Sequence, residues 1–426
     1  AAPGITERDR RGRRADTRVG RDGGVGGRRG RARLGVGRVR VLGAGAGVIG
    51  RGRLEAARGR LETRPPDPRE VDLGPGVRVV GVDMAEAVAA DPEVRVVGSV
   101  RNGAKALEFM RDNDVDVVTL DVEMPEMDGL QTLDGLQAML RESPAASRRK
   151  IGVLMLSSHT KAGAKLTIEA LEKGAFDFVA KPTEGDEKAS LLRLRNDLLP
   201  RIRQFMSGEP PKLRMASPVA SKPLQSAPAA GRGKGAVEAI AIGISTGGPR
   251  ALVDMLPTLC QKTSLPVLIV QHMPADFTRS LADSLAPRCS HRVKEGCDGE
   301  VVEERVIYIA PGGKHMELSR STGGRPSIVV SDGAPENGCK PSADVLFRSV
   351  AKVYGDAALA VVMTGMGSDG AASLRCLKDA GARILAQDEP TSVVWGMPGS
   401  AVATGFVDEI TPLMGIPDSI SAYCRR

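Results

Sequence analysis

Aromatic side chains and histidines are scarce in this chain of 426 residues, of which 3% are aromatic, one is Trp and four are His. Six cysteines occur, all from Cys260 onward, and none forms a C-x-x-C pair. This spacing indicates neither a zinc site nor a disulfide framework, and free thiols are usual in the cytoplasm. No apolar run approaches the roughly 20 residues that span a bilayer, and no signal peptide is evident. We therefore expect a cytoplasmic protein without membrane insertion.

Lysine is absent from residues 1–70, which hold 19 Arg and eight acidic residues. This segment accounts for more than the whole net charge of +8, so the rest of the chain is slightly acidic. The folded part therefore offers no charge argument for nucleic-acid binding. Because residues 1–74 lack apolar periodicity, we predict that they form a disordered Arg/Gly-rich tail.

Other interpretations of this tail stay open. The run Gly45–Gly50 fits G-x-G-x-x-G, but a dinucleotide site also needs a second apolar strand that ends in an acid, and an Arg-rich stretch follows instead. A basic arm that contacts RNA or anionic lipid fits the charge. An Arg/Gly bias without Lys also fits a mistranslated upstream reading frame.

Strand-like and helix-like segments alternate over residues 75–205 and again over 237–426, on either side of a linker at 206–236 that is rich in Pro, Ser, Ala and Gly. The alternation predicts an α/β protein with two doubly wound parallel-sheet domains. The predicted strands of the first domain are Val77–Val82, Val94–Val97, Val115–Leu120, Ile151–Leu156 and Phe176–Ala180. Its predicted helices are Ala104–Asn113, Leu130–Arg141, Ala164–Lys173 and Lys188–Phe205. The predicted strands of the second domain are Ala239–Ile242, Pro266–Val270, Val306–Ala310, Pro326–Val330, Ala358–Met363 and Arg383–Ala386.

Three polar residues end successive strands of the first domain: Asp121, Ser157 and Lys181. The carboxyl ends of parallel strands meet at one edge of a sheet, where ligands bind. A carboxylate can accept a phosphoryl group there, while a hydroxyl and an ammonium group bind its oxygens.

The segments TLDVEMPEMDGL, MLSS and AKP that carry these residues closely resemble a response-regulator receiver domain. The resemblance implies that Asp121 is the phosphoacceptor, Ser157 the switch hydroxyl and Lys181 the lysine of the phosphorylation site. It also implies a pair of acids after the first strand that binds Mg²⁺ together with Asp121. Asp83 is present there, but Met84 stands where the second acid is expected.

The predicted connection after Asp83 is short, because only the ten residues from Met84 to Glu93 precede the next strand. A parallel crossover needs about a dozen residues or more. We therefore expect a truncated first helix, weak Mg²⁺ binding and impaired phosphorylation of this domain.

A serine on a glycine-flanked turn opens the second domain, in the sequence GISTGG with Ser245 at its centre. It follows a buried strand, and such a turn can expose a nucleophilic hydroxyl. His272 follows the next predicted strand and is the candidate general base. Asp369, after a Gly-rich turn, is the candidate to orient that histidine, and Asp332 is its rival.

The segments GISTGGP, VQHMP, IYIAPGGKHM, VVMTGMGSDGA and DEPTSVVWGMPG together resemble the catalytic domain of the chemotaxis protein-glutamate methylesterases. The resemblance implies that Ser245 is the nucleophile, His272 the general base and Asp369 its orienting acid. Backbone N–H groups near Thr246 and Met366 are then candidates for the oxyanion hole. Catalysis needs no cofactor, since acyl transfer proceeds through the serine.

The resemblance further implies hydrolysis of glutamate γ-methyl esters on methyl-accepting chemoreceptors, and in many members deamidation of receptor glutamines. It implies a chemotaxis histidine kinase as the phosphodonor. One alternative is a constitutive methylesterase with a defective receiver domain. Another is a transcriptional response regulator with a basic nucleic-acid-binding arm, but the strand pattern after the linker does not fit a compact helix-turn-helix domain.

Overall fold

A computed structural model of the chain describes residues 39–44, 91, 94–142, 151–158, 160–182, 187–207, 236–320 and 324–424. None of the helices in these ranges combines the length and the apolar character needed to cross a bilayer. The described parts of both α/β domains belong to one compact unit.

The first domain is a parallel sheet flanked by helices. Its strands are β1 (Val39–Ala44), β2 (Val94–Val100), β3 (Val117–Asp121), β4 (Gly152–Ser157) and β5 (Asp177–Ala180). Its described helices are α1 (Gly103–Asp112), α2 (Gly129–Glu142), α3 (Lys161–Glu172) and α4 (Glu187–Ser207). The strand order is β2-β1-β3-β4-β5, and every residue of β3 and β4 is buried. Both faces of these strands are covered, which explains their continuous apolar sequences.

The first strand differs from the predicted one. Residues Val39–Ala44, inside the segment expected to be a tail, pair in parallel with both β2 and β3. Leu42 is fully buried. The segment predicted as a strand, Val77–Val82, and the expected Mg²⁺ ligand Asp83 lie outside the described residues. The tail prediction over 1–74 is therefore wrong for residues 39–44, and the connection to β2 runs from residue 45 to residue 93 instead of ten residues.

The second domain is a larger parallel sheet with an added hairpin. Its strands are β6 (Ala239–Ile244), β7 (Val267–Gln271), β8 (Arg292–Glu295), β9 (Val306–Ile309), β10 (His315–Arg320), β11 (Pro326–Ser331), β12 (Ala358–Val362), β13 (Arg383–Gln387) and β14 (Glu409–Thr411). Its helices are α5 (Gly248–Lys262), α6 (Phe277–Leu285), α7 (Ala343–Tyr354), α8 (Leu374–Asp379), α9 (Met397–Ala403) and α10 (Ile416–Cys424).

Seven of these strands form one sheet, in the order β14-β13-β12-β6-β7-β9-β8. All of the pairings in this sheet are parallel. The predicted strand at 326–330 belongs instead to the antiparallel hairpin that β11 forms with β10. Strands β8, β10 and β14 were not predicted because they carry charged or polar residues that interrupt the apolar signal. The two parallel-sheet domains confirm the predicted fold class.

Candidate active site

The second domain gathers polar side chains at the carboxyl edge of its sheet. Strand β6 lies between β12 and β7. Ser245 directly follows β6, His272 directly follows β7, and Asp369 lies in the loop after β12. This edge is where open α/β sheets bind their ligands.

Ser245 stands on a tight turn into α5. Its backbone N–H donates to Thr364 O at 2.9 Å, and its carbonyl accepts from Gln271 Nε2 at 3.0 Å. Gly247 has a φ of 79°, which few other residues adopt. A Cβ on Gly365 would lie 2.7 Å from the Cβ of Ser245, so only glycine allows the loop after β12 to approach the serine. These contacts fix the serine where two loops meet.

His272 and Asp369 form a direct pair, with His272 Nε2 2.8 Å from Asp369 Oδ2. Because Nε2 is engaged with this carboxylate, it carries the proton, and Nδ1 is the ring nitrogen left to accept one. Among the hydrogen bonds of the described residues, none joins His272 to Ser245 Oγ. Nδ1 instead faces the thiol of Cys339, at 3.6 Å from Sγ. Catalytic hydrogen bonds often form only when substrate is present.

The carboxylate of Asp369 is almost completely buried and contacts the N-terminal end of α7. It accepts hydrogen bonds from Ser342 Oγ at 2.7 Å, Ala343 N at 2.6 Å and Asn337 Nδ2 at 3.1 Å. Burial by itself disfavours the carboxylate, but the contact with His272 and these donors outweigh it and hold the pKa of Asp369 well below its usual range. The site therefore contains a fixed negative charge.

The carboxylate of Asp369 also changes the pKa of His272. Burial by itself would lower the pKa of His272, but the hydrogen bond that His272 donates to Asp369 and the contact with Cys339 raise it above its ordinary value. The arrangement thus stabilises the imidazolium that forms when the ring takes a proton.

The rival acid Asp332 and His315, the first residue of β10, take no part in this pair. Asp332 lies at the surface and pairs with Lys340 at 2.5 Å. His315 is buried, where Nε2 meets Ala334 O at 2.9 Å and Nδ1 accepts from Ser342 N at 3.2 Å. His315 therefore supports the loop before α7.

The backbone amides of Thr246 and Met366 are the ones predicted to form an oxyanion hole. Within the described part of the chain, neither the Thr246 nor the Met366 N–H donates to a protein acceptor. The Thr246 side chain is engaged elsewhere, since its Oγ1 donates to Asp177 Oδ2 at 2.7 Å. Asp177 belongs to the first domain, so the residue beside Ser245 is hydrogen-bonded to the other domain.

The Ser245 turn and the start of α6 make further contacts with the first domain. Gly247 N donates to Phe176 O at 3.0 Å. The rings of Phe178 and Phe277 stack with their centroids 4.5 Å apart.

A polar cluster extends the interface between the domains. It centres on the last residue of α3, Glu172, whose carbonyl accepts from Arg250 Nη1 at 2.6 Å and whose side chain pairs with Arg288 at 2.9 Å. The end of α3 thus lies against α5 and α6, and the start of β5 lies against the Ser245 turn.

The first domain brings together two of its three predicted residues. Lys181 Nζ forms an ion pair with Asp121, which is buried at the end of β3. Burial raises the pKa of Asp121, and Lys181 opposes this rise. Ser157 is adjacent along β4 but is fully buried, and its hydroxyl accepts from Thr167 Oγ1 at 2.7 Å. Its hydrogen bonds therefore join β4 to α3 and do not reach Asp121.

Several residues of the site were missed from the sequence. Asn337, Cys339, Ser342 and Asp177 all touch the pair His272–Asp369 or the serine turn, but each lies in a loop or at a strand start that has no motif of its own. The only sequence signal is the segment PSAD before the apolar run of α7, in which Ser342 precedes the helix.

A serine, a histidine and a buried carboxylate at one sheet edge, with a second α/β domain against them, define a hydrolase joined to a receiver-type domain. Comparison with known proteins agrees. The family model for CheB methylesterase matches residues 240–420, and that for the response regulator receiver domain matches residues 82–193.

Curated relatives match across both domains. A protein-glutamate methylesterase/protein-glutamine glutaminase of Desulfotalea psychrophila is 40% identical, covering 77% of this chain and 91% of the relative. A protein of the same name from Halalkalibacterium halodurans is 40% identical, covering 84% of this chain and 97% of the relative. The crystal structure of the Thermotoga maritima CheB methylesterase catalytic domain is 36% identical, covering 44% of this chain and 98% of that one, with a TM-score of 0.42. The chain belongs to the protein-glutamate methylesterase/protein-glutamine glutaminase family, and it is a chemotaxis-type hydrolase with a response-regulator receiver domain.

Proposed function

We propose that this chain hydrolyses γ-methyl esters of glutamate on methyl-accepting chemoreceptors and deamidates receptor glutamines, with Ser245, His272 and Asp369 as its catalytic triad. The observation that carries the proposal is the 2.8 Å contact of His272 with a buried Asp369 at the sheet edge where Ser245 lies. The names of the relatives support both reactions.

The proposed reaction uses His272 Nδ1 as the base, because His272 Nε2 is engaged with Asp369. His272 Nδ1 takes the proton of Ser245 Oγ as the oxygen attacks the ester carbonyl, and the N–H groups of Thr246 and Met366 receive the developing oxyanion. The imidazolium then gives its proton to the departing methoxide, which leaves as methanol. Water attacks the acyl-enzyme with the same histidine as base and releases the glutamate carboxylic acid and free serine. An amide follows the same course and releases ammonia.

We propose that the receiver domain restrains this site while it is docked. Thr246, beside the nucleophile, is bonded to Asp177 at the start of β5, and Lys181 follows the end of the same strand and pairs with Asp121. A phosphoryl group on Asp121 would break that ion pair and compete for Lys181. Strand β5 thus connects the phosphoacceptor to the serine turn. A chemotaxis histidine kinase is the proposed phosphodonor.

The carboxylates available for Mg²⁺ argue for weak control by phosphorylation. Mg²⁺ would supply the positive charge that offsets the incoming phosphoryl group. Within the described residues, no cluster of three acidic, His or Cys ligands includes Asp121. Asp83 lies outside them. With β1 at Val39–Ala44, the sequence that follows the first strand, Gly45–Gly50, offers no carboxylate. The second candidate function is therefore a methylesterase that acts with little phosphorylation control.

Replacing the nucleophile tests the proposed function. Ser245→Ala should lower methanol release from methylated receptors by about 10⁶-fold, because the attacking oxygen is gone. The matched control is Ser419→Ala on α10, which should keep the wild-type rate. A Ser245→Ala rate within about tenfold of wild type would exclude this serine as the nucleophile.

A further inference from the structure

Cys339 has no part in the proposed hydrolysis, yet its thiol faces the base of the triad. Sγ lies 3.6 Å from His272 Nδ1, the nitrogen that must take the serine proton. His272 Nε2, the other ring nitrogen, lies 2.8 Å from Asp369 Oδ2. A thiol, an imidazole and a carboxylate therefore form a compact cluster, in which one ligand atom of each residue lies within 4.8 Å of the other two.

The distance between sulfur and nitrogen fits a shared metal ion. In tetrahedral zinc sites the Zn–S bond is about 2.3 Å and the Zn–N bond about 2.0–2.1 Å. Two such bonds at a tetrahedral angle place sulfur and nitrogen roughly 3.6 Å apart, the same as the separation found here. Little movement of either side chain is needed to admit an ion.

The partner of the other ring nitrogen also suits metal binding. A histidine that ligates a metal usually donates its second N–H to a carboxylate or a carbonyl, which fixes the ring and increases its basicity. His272 has this arrangement, because its Nε2 is held by Asp369. Asp369 is in turn fixed by Ser342 and Ala343.

The loop that carries the thiol is held by hydrogen bonds within its own turn and by an ion pair to α7. Glu336 and Cys339 exchange backbone hydrogen bonds of 3.0 and 2.8 Å across a two-residue turn. Asn337 and Gly338, at its tip, have φ values of 53° and 75°. Glu336 also pairs with Arg348 of α7 at both carboxylate oxygens. Since the turn is fixed from both sides, little conformational freedom is lost when the sulfur binds an ion.

We propose that Cys339 and His272 form an inhibitory site for a thiophilic divalent cation such as Zn²⁺. Cys339 releases its thiol proton to solvent and binds through sulfur, while the ion takes the lone pair of His272 Nδ1. Water completes the tetrahedron. Because the same lone pair must accept the serine proton, a bound ion stops the hydrolysis; this consequence rests on the proposed function.

Metal binding by the full-length chain can be measured without any esterase assay. Titration with Co²⁺ should give a thiolate-to-cobalt charge-transfer absorption, and Zn²⁺ should displace it. Cys339→Ser should lose that absorption and bind Zn²⁺ at least about tenfold more weakly. The matched control is Cys297→Ser, an exposed thiol elsewhere in the same domain, which should keep both signals. An equal charge-transfer band in Cys339→Ser would overturn the site.

Inhibition is measured separately, as each variant's esterase rate against buffered free Zn²⁺ relative to its own metal-free rate. The wild type and Cys297→Ser should be inhibited alike, and Cys339→Ser should need at least about tenfold more Zn²⁺. Equal inhibition of Cys339→Ser would overturn the proposal and direct attention to other thiols, such as Cys260 and Cys289. Ser245→Ala should bind Co²⁺ like the wild type although it hydrolyses no ester. A Ser245→Ala variant that kept esterase activity and also bound Co²⁺ would refute the triad but not the metal site.

Discussion

Asp369 and Asp332 look alike in the sequence, since each follows a strand of the second domain, but their surroundings differ. Asp369 is buried and receives hydrogen bonds from His272, Ser342 and the start of α7. Asp332 is exposed and pairs only at the surface with Lys340, a contact of small energetic value. A charge desolvated and fixed in this way can hold an imidazole in one tautomer, whereas a mobile surface carboxylate cannot.

Asp369→Asn should therefore lower kcat for methyl ester hydrolysis by about 10⁴-fold. The residual activity should also change its pH dependence. The carboxylate raises the pKa of His272, so its removal lowers that pKa and leaves the ring neutral at lower pH. The acid limb of kcat/KM should move to lower pH. Asp332→Asn is the control and should change neither kcat nor the pH of the acid limb. If Asp332→Asn were the damaging substitution instead, the orienting acid would be Asp332.

Two strands determine how the first domain works: β1 completes the sheet, and β5 connects the phosphoacceptor to the second domain. β1 pairs on both sides, with β2 and with β3. β5 starts with Asp177, which holds the serine turn, and is followed by Lys181, which holds Asp121. Disturbing β1 should therefore affect stability, and disturbing the start of β5 should affect control.

The placement of β1 predicts that Leu42→Ala destabilises the receiver domain by about 2–5 kcal/mol, since a fully buried leucine is cut back to alanine. Denaturant unfolding of the full chain measures this change. Arg95→Ala, at an exposed position of β2, is the control and should stay within about 0.5 kcal/mol of wild type. Loss of stability in Val80→Ala with none in Leu42→Ala would show that residues 77–82 occupy the position of β1.

At the other end of the sheet, Asp177→Asn should raise the basal esterase rate of the full chain several-fold. The amide cannot hold Thr246 and Arg201 as the carboxylate does, so the contact between receiver and serine turn weakens. Asp134→Asn removes an exposed ion pair with Lys173 in the same domain and should leave the rate unchanged. A basal rate equal to wild type in Asp177→Asn would mean that this contact does not restrain the enzyme.

The molecule as a whole combines a well-formed catalytic domain with a receiver domain whose first strand, β1, is followed in the sequence by Gly45–Gly50, a run without an acidic residue. Asp121 and Lys181 meet as predicted, whereas Ser157 is turned into the contact with α3. The chain therefore has a complete set of candidate catalytic residues, whereas among the described residues Asp121 belongs to no cluster of three ligands for Mg²⁺.

We accordingly expect acetyl phosphate with Mg²⁺ to change the esterase rate of the full chain by less than about twofold. A carboxylate can accept a phosphoryl group only where bound Mg²⁺ and nearby cations offset the charge, and the sequence that follows β1, Gly45–Gly50, provides no carboxylate for that ion. The rates are compared with and without phosphodonor, beside Asp121→Asn. A large activation that disappears in Asp121→Asn would show that the receiver binds Mg²⁺ well enough to switch.

The sequence by itself determined the fold class, most strand positions, the described helices of the first domain and candidates for the proposed triad. Buried parallel strands are continuous apolar runs, and a polar residue that ends such a run lies at the sheet edge whatever the rest of the fold does. Ser245, His272, Asp121 and Lys181 could be found in this way. Asp369 needed the resemblance as well, because a loop separates it from its strand.

Only the tertiary structure decided which strand-like segment completes the receiver sheet, since Val39–Ala44 and Val77–Val82 have equivalent local patterns and pairing with β2 and β3 separates them. It also decided which way the Ser157 hydroxyl turns. Cys339 lies 67 residues from His272 in the chain, and its spacing to the other cysteines indicated no metal site. A strand can be read from its own residues, but a contact between distant loops depends on how the whole chain packs, and no local pattern records it.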